Sequence, residues 1–343
     1  MLNTDPAATD RAPAPGGSRS SRARAGLLIL TVAVLGGLLA FEAAARMVFD
    51  RNGLHYGIEM WKYARLIKRQ SASAAIGHEH VPNSRAHLMR TDVSINSQGL
   101  RGPEVAPRAE ADVRRLVTMG DSLTFGWGVE EQDTYSRVLE RMLNADGRRY
   151  EVINAGVGNY NTSQEVAWFK ERGLSYEPDE VILGFYINDA EPTPRKSAGW
   201  LASRSYVYVI VSSLWDAMQR KVGLKKGYLE YYADLYDDRN PGWRDCRAAL
   251  QELIRICRAR GIRLTVALLP ELHDVEATYP FGFVHERVAA FVSGQGASVI
   301  DLDGAFRGHE PKTLWVSPGD AHPNALAQRI IAERLFAGMT AEQ

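Results

Sequence analysis

The stretch Arg115 to Val129, RLVTMGDSLTFGWGV, joins an apolar strand to Gly120-Asp121-Ser122-Leu123 and then to a glycine-rich opening. Leu116-Val117-Thr118-Met119 fits a buried strand of a parallel sheet. A serine just past the carboxyl end of such a strand stands where open α/β sheets bind their ligands. Ser122 is therefore a candidate nucleophile. The same four residues suit a second reading, a serine capping the helix that follows, and only partners elsewhere in the chain separate the two.

Downstream, the pattern repeats. Thr134 to Asn144 sets Tyr135, Val138, Leu139, Met142 and Leu143 on one helical face, and Asp146-Gly147 stops it. Tyr150 to Ile153 is a second strand, delivering Asn154-Ala155-Gly156-Val157-Gly158-Asn159, and Thr162-x-x-Glu165 reads as a capping box for a helix to Arg172. A third strand, Glu180 to Tyr186, ends in Asn188-Asp189. Strands about 30 residues apart have the spacing of right-handed βαβ units. Between Ala190 and Asn240 the pattern breaks: an amphipathic helix is expected over Leu201 to Lys221, and Tyr228, Tyr231, Tyr232 and Tyr236 crowd together. That insertion is either a lid packed by aromatic residues or a platform for sugar rings or acyl chains. Regular structure resumes with a helix over Trp243 to Arg260, a strand over Arg263 to Leu269, a helix over Phe283 to Ser293 and a strand over Ser298 to Leu302. A last helix runs from Asn324 to Phe336, with Asp320 and His322 just before it.

Upstream, residues 1–24 are rich in Ala, Pro, Ser and Gly, carry Arg11, Arg19, Arg22 and Arg24, and read as a disordered tail. Ala25 to Phe41 is uncharged and the run continues after Glu42 through Ala43-Ala44-Ala45 to Arg46, so roughly 20 residues match one hydrocarbon thickness as helix. Arginines before it outnumber Arg46 and Arg51 after it, which puts the amino terminus in the cytoplasm and the rest outside. Ala43-Ala44-Ala45 resembles a signal-peptidase site, so a cleaved segment is the alternative to an anchor. Residues 47–111 form an extension expected to pack on the catalytic domain. Within it His87 to Ile95 alternates as one strand, ending at the turn Asn96-Ser97-Gln98-Gly99. His78, His80 and His87 invite a metal site, but no carboxylate or cysteine cluster joins them, and solvated loop histidines are the expectation.

Composition narrows the class. The 343 residues, 45% apolar and 24% charged, are enough for a full core, and 41 basic residues balance 41 acidic ones, so no whole-chain field recruits nucleic acid. Cys246 and Cys257 lie in one expected helix about 16 Å apart by helical rise, too far for a disulfide. No cofactor or metal is expected.

Loops at the carboxyl ends of parallel strands open on one side of the sheet. Ser122, the turn at Gly156, Asn188 and Asp320-x-His322 can thus converge across some two hundred residues. Ser122 would attack, His322 would take and return its proton, and Asp320 would hold the imidazole. The Ser122 N–H, the Gly156 N–H and the Asn188 amide would form an oxyanion hole. The blander alternatives are a plain turn at Gly156, a loop former at Asn188 and a helix-start residue at His322.

The order Gly-Asp-Ser-Leu, glycine, Asn-Asp, then Asp and His before the final helix resembles the SGNH hydrolase superfamily, the GDSL esterases and lipases, over residues 112–340. The resemblance implies a flavodoxin-like three-layer α/β/α fold with a mostly parallel sheet. It also implies ester hydrolysis through an acyl-enzyme, with Ser122, Gly156, Asn188 and His322 in the four named roles. Two positions depart from the family pattern. Gly319 occupies the usual aspartate position three before the histidine, leaving a triad through Asp320 or a dyad. Tyr186 replaces a glycine two before the asparagine. The reading is a membrane-anchored, outward-facing serine esterase acting on an ester of an envelope glycan, lipid or small molecule. An O-acyltransferase and a non-catalytic envelope-binding module are the alternatives.

Overall fold

A computed structural model describes residues 18–52, 55–107, 109–193, 204–275 and 279–341. The chain divides into two units, Met1–Val48 and Phe49–Gln343. In the first unit the described residues belong to helix α1, Ser18–Asn52. The helix starts inside the stretch expected to be tail, so 18–24 are helical, while 1–17 lie outside the described residues. Its portion Ser21–Arg51 has a mean hydropathy of 2.3 over its most apolar window and is long enough to cross a membrane.

The second unit opens with α2 (Tyr56–Leu66) and two hairpins, β1 (Lys68–Gln70) with β2 (His78–His80) and β3 (Arg85–Leu88) with β4 (Thr91–Ser94). It continues through β5 (Arg114–Gly120), α3 (Ser122–Phe125), α4 (Tyr135–Ala145), β6 (Tyr150–Asn154), α5 (Thr162–Glu171) and β7 (Glu180–Phe185). Next come α6 (Tyr206–Lys221), α7 (Tyr228–Leu235), α8 (Pro241–Arg260), β8 (Arg263–Leu268), α9 (Gly282–Gly294) and β9 (Ser298–Asp301). A hairpin of β10 (Trp315–Ser317) and β11 (Asp320–Pro323) leads into α10 (Ala325–Ala341).

The central sheet is parallel throughout, in the order β6-β5-β7-β8-β9. Successive strand residues point to opposite faces, and each face of β5 has its own core. Val117 and Met119 join Phe169 of α5, Leu250 and Leu253 of α8 and Val288 of α9. Leu116 joins Leu139 and Leu143 of α4 and Ile331 and Leu335 of α10. The result is the expected three-layer α/β/α arrangement. Full burial of such side chains contributes roughly 1.5–3 kcal/mol each. β5 lies between β6, which follows it in the chain, and β7, which follows β6, so the strand order reverses at β5. The crevice at such a reversal is where open α/β sheets bind ligands, and the carboxyl end of β5 is Gly120-Asp121-Ser122.

Three expectations change locally. The segment read as one strand from His87 to Ile95 is a hairpin turning at Met89 and Arg90, both with positive φ (49° and 63°). No Asn-Gly or Asp-Gly pair announces that turn. The buried Glu59 carboxylate of α2 holds it by accepting the Met89 N–H at 2.8 Å. The helix at Thr162 is capped one residue earlier, where the Asn161 side chain accepts from the Gln164 N–H at 3.0 Å. In the insertion the described helix starts at Tyr206, residues 194–203 lying outside the described set. Cys246 and Cys257 are free and buried in α8, as expected.

Candidate active site

Ser122 begins α3 directly after β5. The cap is the neighbouring Asp121, fully buried, whose Oδ1 accepts the Leu123 N–H at 2.8 Å. The turn is tight: Gly120 has φ +156°, and a Cβ there would lie 2.0 Å from Thr124 Oγ1. Ser122 is thereby left in the first turn, where its N–H has no acceptor within the helix.

Two hundred residues further on, His322 Nε2 lies 2.9 Å from Ser122 Oγ. His322 Nδ1 lies 2.5 Å from Asp320 Oδ1, and Trp127 Nε1 donates to Asp320 Oδ2 at 2.8 Å. The two-residue spacing works because Asp320 and His322 both stand on β11, where i and i+2 share a face. Burial alone would raise the Asp320 carboxyl, but the hydrogen bonds and charge of His322, with the Trp127 N–H, hold it below the ordinary carboxylate range. An ionised Asp320 at Nδ1 favours the tautomer with its proton there, leaving Nε2 to accept from Ser122.

Asn188 follows β7, and its Nδ2 donates to Asp121 Oδ2 at 3.0 Å. That uses one of two amide hydrogens and ties the Asn188 loop to the turn that carries Ser122. Burial raises the Asp121 carboxyl, against the Leu123 N–H, the Asn188 amide and the His322 charge.

Gly156 corrects the expectation. Its N–H donates to Asn154 Oδ1 at 3.0 Å rather than standing open as an oxyanion donor. The residue packs beneath α3, where a Cβ would meet Phe125 N at 2.2 Å and Thr124 C at 2.6 Å. The glycine permits close approach of two loops.

The N-terminal extension completes the surroundings, which the sequence did not indicate. Tyr56 of α2 stacks on His322 with ring centroids 5.5 Å apart and planes at 29°, and burial pushes its phenol up. Arg101, from Gly99-Leu100-Arg101-Gly102, is buried and donates to the carbonyls of Phe125 (2.9 Å), Gly126 (2.5 Å) and Val129 (2.5 Å), clamping the loop that carries Trp127. Burial pushes its guanidinium down to about 10. A lone arginine or tyrosine in a polar segment carries no local signal; a glycine on each side of Leu100-Arg101 was the nearest one. Tyr186, the departure from the family glycine, is partly buried, with its phenol pushed up by burial first and then by the charge of Glu271. Tyr228 meets Tyr232 edge-on with ring centroids 5.0 Å apart, and Tyr232 donates to Glu191 Oε1 at 3.0 Å.

The histidines of the extension are not solvated as a group. His80 is buried, 2.6 Å from the Tyr63 hydroxyl, and His78 Nε2 lies 3.0 Å from the Gly158 carbonyl oxygen; the hairpin β1–β2 places them against the Gly158 loop. His87 is exposed and pairs with Asp92 at 2.8 Å. Among the described residues no group of three or more His, Cys, Asp or Glu is placed to hold a metal ion.

A parallel sheet with a serine at its reversal point, a histidine on its hydroxyl and an aspartate behind the histidine defines a serine hydrolase of the three-layer α/β/α type. A model of the GDSL-like lipase/acylhydrolase family matches residues 118–330, and the chain belongs to that family of ester hydrolases. Similar solved structures include TesA (15% identity over 67% of this chain and 100% of that one, TM-score 0.44). Another is the psychrotrophic esterase EstA from Pseudoalteromonas sp., inhibited by monoethylphosphonate (14%, 67% and 98%, TM-score 0.43). A third is the acetyl xylan esterase AlAXEase (17%, 65% and 98%, TM-score 0.41). No curated protein sequence matches the chain.

Proposed function

We propose that this chain is a membrane-tethered serine esterase working outside the cytoplasm on an acyl or acetyl ester of an envelope glycan, lipid or small molecule. The observation that carries the chemistry is the continuous chain Ser122 Oγ to His322 Nε2 (2.9 Å) and His322 Nδ1 to Asp320 Oδ1 (2.5 Å). Ser122 Oγ attacks the ester carbonyl while His322 Nε2 takes its proton. The oxyanion is held by the Ser122 N–H and the second Asn188 N–H. His322 then returns the proton to the departing alcohol, leaving the acyl group on Ser122. Water attacks that ester with His322 again as base, the acyl bond to Ser122 Oγ breaks as His322 returns the proton to that oxygen, and the free acid leaves. Each oxyanion donor lowers the barrier by roughly 3 kcal/mol.

The tether reading rests on α1 and on the excess of arginines before its apolar core, which keeps the amino terminus inside. Incubating the full chain in detergent with p-nitrophenyl acetate and an acceptor sugar tests the chemistry. Free acetate from the wild type, none from Ser122→Ala and a fluorophosphonate adduct on Ser122 are expected. Acetylated sugar forming in preference to acetate would make the chain an O-acyltransferase, and no labelling of Ser122 would make it a binding module.

A further inference from the structure

The insertion carries an apolar face that the fold leaves uncovered. One side of α6 packs inward: Tyr206 meets Trp61 of α2 edge-on, ring centroids 5.2 Å apart, and Val209 Cγ1 would lie 3.2 Å from a Cβ on Gly57. At about 100° per residue, Tyr208, Val211, Leu214, Trp215, Met218 and Val222 fall on a separate arc roughly 120° wide. All are exposed, Leu214 by 65%, Trp215 by 55% and Val222 by 60%. Scattered apolar residues on a surface are ordinary, but a continuous arc marks a face that meets something apolar.

Two observations favour a lipid bilayer as the occupant. The Tyr206 hydroxyl donates to Asp50 Oδ1 at 2.7 Å. Asp50 lies in the last turn of Ser21–Arg51, the segment long and apolar enough to span a membrane, so the start of α6 is bonded to a residue at the end of that segment. The arc also has interfacial chemistry: Tyr208 and Trp215 lie among aliphatic residues, and Arg220, Lys221, Lys225 and Lys226 cluster at its end. Asp216 pairs with Arg220 and Lys225, and Asp234 pairs with Lys226. Amphipathic helices with aromatic and basic residues of this kind lie at the headgroup boundary.

We propose that α6 lies on the surface of the bilayer that α1 crosses, with the arc from Tyr208 to Val222 in the headgroup–acyl boundary. This rests on the membrane reading of α1. From Arg51 the chain takes five residues, at most about 18 Å, to reach Tyr56 over His322, so docking of α6 holds the Ser122 cleft at the membrane surface.

The test uses the full chain reconstituted in phosphatidylcholine–phosphatidylglycerol vesicles with or without brominated acyl chains. α1 contains no tryptophan, so quenching reports the body of the protein. Brominated lipid is expected to quench the wild type, and Trp215→Phe to abolish most of that quenching. Leu214→Glu combined with Met218→Glu is expected to lift Trp215 out of reach while p-nitrophenyl acetate is hydrolysed at the wild-type rate. Vesicle flotation without quenching, or quenching unchanged in Trp215→Phe, overturns the docking alone. Failure to float overturns the anchor and the docking together. Self-crosslinking of Trp215→Cys would make a second copy of the chain the occupant and overturn the docking as well.

Discussion

Trp127 Nε1 donates to Asp320 Oδ2 at 2.8 Å, so the loop that follows Ser122 holds the far oxygen of the aspartate that holds His322. The sequence stretch around Ser122 thus reaches both ends of the hydrogen-bonded chain Ser122–His322–Asp320. Trp127→Phe removes one hydrogen bond to a charged acceptor, worth about 1.5–3 kcal/mol. It is expected to lower kcat on p-nitrophenyl acetate by about 10-fold to 100-fold with KM little changed. An unchanged kcat would make Trp127 a packing residue only.

Asp320→Asn tests triad against dyad. A loss of about 10³–10⁴ in kcat is expected if Asp320 sets the His322 tautomer, and a loss under about tenfold would establish a dyad. Because the folded Asp320 carboxyl is held below its ordinary range, its contribution to stability is present above the unfolded pKa, about 3.9, and is lost as pH falls through the folded value. Acid unfolding followed by circular dichroism should therefore be less steep in Asp320→Asn than in the wild type.

Asn188→Ala is expected to cost about 10²–10³ in kcat through loss of an oxyanion donor. The substitution also strips a partner from buried Asp121, so its melting temperature is measured alongside. A fall in stability with kcat retained would confine Asn188 to tying loops together.

Gly156→Ala forces a methyl against the backbone of Thr124 and Phe125, which cannot rotate away. An overpacking cost of about 3 kcal/mol corresponds to a drop in Tm of roughly 6–12 °C. Gly304→Ala, where nothing lies within 4 Å of an added Cβ, is the control expected to melt with the wild type. Equal melting of both variants would show that α3 can move aside.

Glu165 and Asp189 are buried together behind the site, with both Glu165 oxygens and Asp189 Oδ1 lacking a partner. Burial raises both carboxyls first; the charges of Asp189 and Asp121 raise Glu165 further, and those of Asp121 and Glu191 raise Asp189 further. A raised folded pKa gives stability that is full below the ordinary carboxylate range and lost as pH rises through the folded value. Glu165→Gln should therefore raise Tm at about pH 8 and flatten its decline from about pH 5. A lower Tm at the higher pH would mean that the ionised carboxylate is needed.

Much of this site was legible because its signals are local. Leu116 to Met119 followed by Gly-Asp-Ser marks a strand end, the next two strands arrive at βαβ spacing, and Asp320-x-His322 precedes a helix. What remained hidden depends on partners far along the chain. Gly156 looked like a donor until the Asn154 side chain was seen to take its N–H. His78 and His80 looked solvated until the first hairpin folded over the Gly158 loop.

By itself the sequence determined the parallel α/β sheet and the apolar amino-terminal helix and brought Ser122, His322 and Asn188 forward as candidates, since strand and helix periodicities and short motifs are properties of neighbouring residues. Only the tertiary structure decided that Asp320 reaches His322 from two positions away, because β11 is a strand and puts alternate side chains on one face. It alone brought Trp127, Arg101 and Tyr56 to the same pair, because contacts across a sheet reversal depend on strand order and on how the extension packs.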